Sequence, residues 1–160
     1  MRFFAQSMAI VFLGVSISIS SIAAETGTRS FHADLTVDEE TALVSTKATG
    51  TADFTVDLSN MRVFYRVTFK DLTSNVTGIH LHGPVPMGNN APAFFDLAPN
   101  RVSGTASHFE GSGTLTESQF QYMLIHEAYI NIQTRKFPEG EVRGQLERVP
   151  DQPLAASVTN

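Results

Sequence analysis

The chain has 160 residues, no cysteine, and a formal net charge of −5 from 11 basic and 16 acidic residues. No basic cluster is longer than the pair Arg135-Lys136, so the charge pattern does not favour nucleic acid or anionic lipid as a partner. Without cysteine, the stability of the fold cannot depend on disulfide bonds.

The first 24 residues have the pattern of a secretory signal peptide. Arg2 supplies the positive charge, an apolar stretch occupies residues 8–19, and small residues lead to Ala24 and the acidic Glu25. The apolar stretch is shorter than the roughly 20 residues that cross a bilayer, which favours a cleaved signal over a retained membrane anchor. We expect cleavage after Ala23 or Ala24.

The rest of the chain has the size of one domain. We expect this domain to span residues 25–147, and we expect residues 148–160, with two prolines and small polar side chains, to form a disordered tail. The prediction is therefore an exported protein, periplasmic or extracellular, with no stable membrane anchor after cleavage. The lack of cysteine in a secreted domain favours a bacterial host.

Eight segments of the domain have the alternation or the apolar content of β-strands. Apolar and polar side chains alternate strictly in residues 51–58 and again in residues 61–69, and the polar link Ser59-Asn60 joins them, which predicts a β-hairpin. The other predicted strands are residues 30–37, 76–82, 93–97, 104–115, 128–134 and 141–146.

One short helix is predicted after residue 115. Thr116 is a suitable N-cap, and Gln119 three residues later completes a capping box. Phe120, Met123 and Leu124 then share one face of a helix of about ten residues, which is a connector rather than a layer. Many short strands with a single short helix predict an all-β antiparallel sandwich or barrel.

Three sequence motifs lie in the predicted strands. A His-x-His-Gly-Pro motif occupies residues 80–84. Further along the chain, Tyr-x-Asn-x-x-Thr occupies residues 129–134, and Pro-x-Gly-Glu-x-Arg-Gly-Gln-Leu occupies residues 138–146. Together they resemble the CHRD domain family, named after chordin, over nearly all of residues 30–146.

This resemblance implies an immunoglobulin-like antiparallel β-sandwich without enzymatic activity. Many members are single-domain exported bacterial proteins, whereas the eukaryotic relatives lie in extracellular proteins that bind signalling proteins. The chain departs from the family at Gln133, where members often carry a histidine.

His80 and His82 are candidate metal ligands. They are two residues apart on a predicted strand, so their side chains leave one face while Ile79 and Leu81 leave the other. Imidazole binds copper and zinc, but a structural zinc site needs four ligands, and Gln133 is a poor substitute for a histidine. The remaining ligands would come from His32, His108, His126, Asp96 or Glu141. The alternative is a pair of histidines hydrogen-bonded to loop backbone at a strand end.

The loop at residues 83–90, which begins with Gly83 and Pro84, is the candidate contact surface. Loops on a rigid sandwich commonly bind partners, although glycine and proline also serve turns for backbone reasons alone.

Glu141 and Arg143 are expected to share a face of the last strand. A cross-strand pair, or a hydrogen bond from Arg143 to the turn at residues 138–140, would give them a structural role, and an anion site on Arg143 is the alternative. Asn131 and Gln133 would show the same polar face if the two strands pair.

The motifs of nucleophilic catalysis are absent from the sequence, which has no cysteine and no Gly-x-Ser-x-Gly. The neighbouring Glu39 and Glu40 lie in a predicted loop and are interpreted as solvated charges. The first hypothesis is an exported, non-catalytic binding domain that needs no cofactor and binds an unknown protein or small ligand. The second is a periplasmic copper- or zinc-binding protein that uses His80 and His82.

Overall fold

A computed structural model describes residues 27–98 and 107–150 of the chain. The predicted signal peptide, residues 104–106 of one predicted strand and most of the predicted tail lie outside these ranges. Within them, no helix is long and apolar enough to cross a membrane.

Nine strands and one helix make up the described ranges. Their bounds are β1 Thr28–Leu35, β2 Thr49–Asp57, β3 Arg62–Lys70, β4 Val76–His82, β5 Ala93–Asp96, β6 His108–Thr114, α1 Glu117–Leu124, β7 Tyr129–Thr134, β8 Val142–Gln145 and β9 Glu147–Val149.

The strands form two antiparallel sheets that enclose one hydrophobic core. One sheet has the order β6-β3-β2-β1-β9, and the other has the order β5-β4-β7-β8. The core contains Phe31 and Phe54 from the first sheet and Ile79 and Ile132 from the second, each at most 1% exposed. The predicted antiparallel β-sandwich with one short connecting helix is confirmed.

The predicted hairpin is formed by β2 and β3, with Asp57 opposite Arg62 at its closed end. The Asp57 carboxylate accepts a hydrogen bond from the backbone N–H of Ser59 at 2.9 Å, and Asn60 Oδ1 accepts one from the N–H of Arg62 at 2.9 Å. These side chains satisfy backbone donors that the turn leaves unpaired, so the polar link fixes the register of the hairpin.

The predicted helix is confirmed as α1. Thr116 Oγ1 accepts a hydrogen bond from the N–H of Gln119 at 3.2 Å, and the Gln119 side chain accepts one from the N–H of Thr116 at 2.9 Å. Phe120 and Met123 are buried, and the Phe120 ring packs edge-on against Phe31 at 6.2 Å between centroids. The capping box and the apolar face thus act as predicted.

The two sheets are joined at one corner by β1, β8 and β9. Thr36, just beyond β1, forms an isolated antiparallel bridge with Arg143 of β8. The buried Leu146 alone separates β8 from β9, so the chain changes sheets at that residue.

The predicted start of the tail, residue 148, is too early in the chain. Glu147–Val149 pairs with β1, so residues 148 and 149 belong to a strand. All three residues of β9 are exposed, so the sequence has no apolar pattern there that would predict a strand. Backbone hydrogen bonds to the edge of the sheet hold β9 in place.

Candidate functional site

The outer face of the four-stranded sheet is polar and yet largely buried. Ile79, Leu81, Ile130, Ile132 and Val142 point into the core. The intervening side chains on the opposite face form what we call the polar face, made of His80, His82, Tyr129, Asn131, Gln133, Arg143 and Gln145. Of these, all but His80 and Gln133 are at most 9% exposed. Two loops cover them.

Three side chains of the polar face form a stack across neighbouring strands. The rings of His82 and Tyr129 are parallel within 9°, with centroids 4.8 Å apart. The guanidinium carbon of Arg143 lies 3.4 Å from the centroid of the Tyr129 ring. A desolvated guanidinium on an aromatic face is stabilised by its attraction to the ring electrons, so the stack keeps a buried charge in place.

The first loop, residues 83–92, is fastened to this stack. Arg143 donates from Nη2 to the carbonyl of Asn89 at 2.9 Å and from Nη1 to Oδ1 of Asn90 at 3.1 Å. His82 Nδ1 donates to the carbonyl of Ala91 at 2.9 Å. His82 therefore bonds to loop backbone, which was the structural alternative to a metal ligand. Arg143 also has a structural role, but its partners are Asn89 and Asn90 of this loop and not the turn at residues 138–140.

Gly83 and Pro84 begin this loop at a point of close backbone contact. Gly83 has a φ of 149°, and a Cβ there would lie 2.5 Å from the carbonyl oxygen of Glu127. Only glycine fits such a position without a shift of the backbone. Pro84 follows through a cis peptide bond and is exposed.

The second loop, residues 36–48, connects β1 to β2 and covers another part of the polar face. Glu39 Oε2 accepts a hydrogen bond from the N–H of Gln145 at 2.7 Å. Thr41 Oγ1 donates to Oδ1 of Asn90 at 3.0 Å, and this bond links the two loops. Both loops are thus fastened to the same sheet face and to one another.

The interpretation of Glu39 and Glu40 as solvated charges is wrong. Both side chains are half-buried against the polar face. Burial raises the pKa of Glu39, and it raises the pKa of Glu40 to about 7 against the opposing attraction of Arg143. The sequence shows only two adjacent acids in a loop, and it does not show where that loop folds.

His80 and His82 lie on the same face of β4, as predicted, with ring centroids 6.0 Å apart and planes at 85°. The hydrogen bond to Ala91 leaves the lone pair of His82 on Nε2, which is buried without a hydrogen-bond partner. Burial also lowers the pKa of His82, so the neutral ring is favoured.

The ring of His80 lies beside Asp96, Gly78 and Gln133. His80 Nε2 lies 3.8 Å from Asp96 Oδ1. Gly78 lies against the same ring: a Cβ placed on Gly78 would be 2.5 Å from His80 Cε1 and 3.2 Å from His80 Nδ1. The same Cβ would be 2.9 Å from Gln133 Oε1. Gln133 therefore stands beside His80. Within residues 27–98 and 107–150, no group of three histidine, cysteine or acidic side chains could hold a metal ion.

The other proposed ligands are engaged elsewhere. His32 is hydrogen-bonded to Asp53 on the five-stranded sheet at 2.7 Å, and His108 lies in β6 of that sheet. His126 Nδ1 lies 3.3 Å from the carboxylate of Glu147.

Glu141 is fully buried and has a structural role. Its carboxylate accepts hydrogen bonds from Thr46 Oγ1 at 2.8 Å, from the N–H of Thr73 at 2.8 Å and from Thr134 Oγ1 at 2.7 Å. These donors belong to three separate segments, which Glu141 holds together. Several donors of this kind stabilise a buried carboxylate without a cation.

The turn at residues 138–140 is held by Asn131 rather than by Arg143. Asn131 Nδ2 donates to the carbonyl of Glu139 at 3.1 Å. The hydrogen bond expected from Arg143 is absent because its guanidinium faces Tyr129 and the first loop.

Unpaired polar atoms concentrate at this site. Among the described residues, the buried side-chain atoms without a hydrogen-bond partner are Glu40 Oε1, His80 Nδ1, His82 Nε2, Asn131 Oδ1, Arg143 Nε and Gln145 Oε1. Every one of them belongs to the polar face or to the loop over it.

Fold and site together define a β-sandwich that carries two loops fastened over a buried polar sheet face. The family model of the CHRD domain matches residues 31–146, and the chain belongs to that family. The match contains the whole polar face and both loops. No curated protein and no solved structure matches the chain.

Tyr129 and Gln145 belong to the family motifs, but no role in the site was predicted for them or for the two asparagines of the first loop. Strand alternation could have placed Tyr129 beside Asn131 on the polar face. The roles of Asn89 and Asn90 depend on contacts across the fold, and no local pattern contains that information.

Proposed function

We propose that this chain is an exported, non-catalytic binding domain, and that its partner is a protein that contacts the two fastened loops. The observation that carries this proposal is the exposure of apolar side chains on those loops. Leu43 of the second loop is fully exposed, and Met87 of the first is 58% exposed. They are the two most exposed large apolar side chains among the described residues.

Leu43 and Met87 are suited to recognition by a partner because hydrogen bonds hold the loops that carry them. Each loop is bonded to the polar face, and Thr41 and Asn90 link the loops only a few residues from Leu43 and Met87. A loop whose backbone is already ordered loses little entropy when a partner covers it. Membership of the CHRD family agrees with a binding role, because its eukaryotic relatives lie in extracellular proteins that bind signalling proteins.

Site-specific photo-crosslinking in the native host tests the proposal. A photoreactive phenylalanine analogue is placed at position 43, at position 87, or at position 64 as a control. Phe64 is 49% exposed but lies on the five-stranded sheet, away from both loops. We expect discrete protein adducts from positions 43 and 87, which excess purified wild-type domain removes and a Leu43→Ser/Met87→Ser variant does not. Adducts only at position 64, or none at the loops, would contradict the proposal.

Export is part of the same proposal. We expect mature protein in the periplasmic or extracellular fraction, beginning at Ala24 or Glu25. Sequencing of its N-terminus decides this, and an intact Met1 on protein in the membrane fraction would show a retained anchor instead.

Copper or zinc binding is the second candidate function. It is favoured by two adjacent imidazoles whose Nδ1 (His80) and Nε2 (His82) are buried and unpaired. Gln133 beside His80 argues against it. Titration of the tag-free domain with Cu(I), Cu(II) and Zn(II) tests it. Sub-micromolar binding near 1:1 that is lost in His80→Ala but kept in His126→Ala would support a metal site, and no heat and no change in Tm would exclude one at His80.

A further inference from the structure

Glu40 lies between the two hydrogen bonds that fasten the second loop. On one side Glu39 accepts from the N–H of Gln145, and on the other Thr41 donates to Asn90. The carboxyl group of Glu40 is turned inward, and its Oε1 is buried. Its backbone N–H donates to the carbonyl of Val37 at 3.0 Å, so the backbone is held while Oε1 of the side chain has no hydrogen-bond partner.

Glu40 Oε1 and a second unpaired acceptor, Oδ1 of Asn131, both lie beside Gly140. Both oxygens lie 2.6 Å from the point that a Cβ on Gly140 would occupy, and neither has a hydrogen-bond partner. The bond from Asn131 Nδ2 to the carbonyl of Glu139 fixes the amide so that Oδ1 is its free end. A buried acceptor without a donor lacks compensation for the water that it has lost.

A proton on Glu40 supplies such a donor. The protonated carboxyl group has an O–H that can donate to Asn131 Oδ1, which would satisfy both oxygens with one hydrogen bond. The charges around the group are Glu39 on the same loop and Arg143 on β8, with His82 beyond Arg143 in the stack. Burial and the charge of Glu39 favour the acid form, and Arg143 opposes them.

We propose that Glu40 is a protonation latch: with its proton it bonds to Asn131 and holds the second loop closed over the polar face, and loss of that proton releases the loop. Because burial raises the pKa of Glu40 to about 7, the change falls near neutral pH. The loop carries Leu43, so partner binding would weaken at higher pH. That last consequence rests on the proposed function, whereas the latch itself does not.

Solution NMR on the partner-free domain tests the latch. The carboxyl carbon of Glu40 and the amide protection factors of residues 38–44 are followed from pH 5 to pH 9. We expect Glu40 to titrate near pH 7 and the protection factors to fall at least tenfold through the same midpoint. A Glu40 that titrates near 4.5, or protection that is equal at both ends of the range, would overturn the proposal.

Two variants of neighbouring residues separate the latch from general effects of pH. Glu40→Gln is neutral at every pH, and its amide can donate to Asn131 Oδ1, so the loop should remain closed up to pH 9. Glu39→Gln is the matched control and should keep the transition, with its midpoint at lower pH because one opposing charge is gone. A transition that persists in Glu40→Gln would refute the assignment to this residue. If Glu40→Gln does not fold, the carboxyl titration of the wild type decides alone.

Discussion

Arg143 is the residue on which the site depends most. It is 1% exposed, and its guanidinium stacks on Tyr129 while two of its nitrogens hold Asn89 and Asn90 of the first loop. Lysine carries the same charge but has neither a flat face for stacking nor a fork of donors. A lysine at this position would leave a buried ammonium with poor partners.

We therefore expect Arg143→Lys to lower the free energy of unfolding by about 2–4 kcal/mol, as do other changes that leave a buried charge without its partners. Arg66→Lys is the control, because Arg66 forms an exposed ion pair with Glu110 and should change stability by less than about 0.5 kcal/mol. Urea unfolding of both variants measures the difference. Equal effects would show that the stack does not stabilise the fold.

His32 on the five-stranded sheet and His82 on the four-stranded sheet should have pKa values on opposite sides of the usual value of 6.5. The hydrogen bond to Asp53 raises the pKa of His32, whereas burial lowers the pKa of His82. His32 therefore adds stability that is complete below its unfolded pKa and is lost as pH rises through its folded pKa. The contribution of His82 is present above its unfolded pKa and is lost as pH falls through its folded pKa. NMR titration of the ring protons reports both, and a His82 pKa above that of His32 would contradict the burial of the stack.

At the scale of elements, the β2–β3 hairpin determines which side chains of the five-stranded sheet reach the core. Phe54 is 1% exposed, whereas Phe64, opposite Thr55 in the same hairpin, is 49% exposed. We expect Phe54→Ala to cost about 3–5 kcal/mol, and Phe64→Ala less than about 1 kcal/mol. Thermal and urea unfolding compare the pair. Similar losses at the two sites would mean that the register is shifted by one residue.

The turn at residues 138–140 is the element that brings Asn131 and Glu40 together. Gly140 and Gly88 both have positive φ, at 148° and 81°, but a Cβ would meet Asn131 and Glu40 at Gly140 and open space at Gly88. We expect Gly88→Ala to cost about 1 kcal/mol from backbone strain, and Gly140→Ala clearly more, because it also separates the loop from the polar face. The difference in unfolding midpoints measures the crowding, and equal costs would show that Gly140 is needed only for its φ.

Local patterns predicted the elements whose causes are local. The alternation in residues 51–69 predicted the hairpin, and the Thr116–Gln119 spacing predicted the capped helix. The exposed strand Glu147–Val149 and the burial of Glu39 and Glu40 escaped prediction, since they arise where segments distant in the chain meet. The His80/His82 pair was placed on the correct face, yet the contacts of its rings depend on Gly78, Asp96 and Ala91.

At the scale of the whole molecule, the sandwich holds its two loops by a buried polar sheet face instead of by apolar packing. The hydrophobic core between the two sheets stabilises the sandwich that carries this face. This arrangement presents exposed apolar side chains on loops held by hydrogen bonds, as the proposed binding role requires.

The most direct test of this account is the backbone order of the two loops, measured by ¹⁵N relaxation at pH 6. We predict order parameters of about 0.85 for the amides of residues 38–43, 85 and 87–91, equal to those of the strands, and a fall toward about 0.6 at residues 85 and 87–91 in Arg143→Lys. Values below about 0.6 in the wild type would show that the loops are not held by the polar face, and would contradict the account.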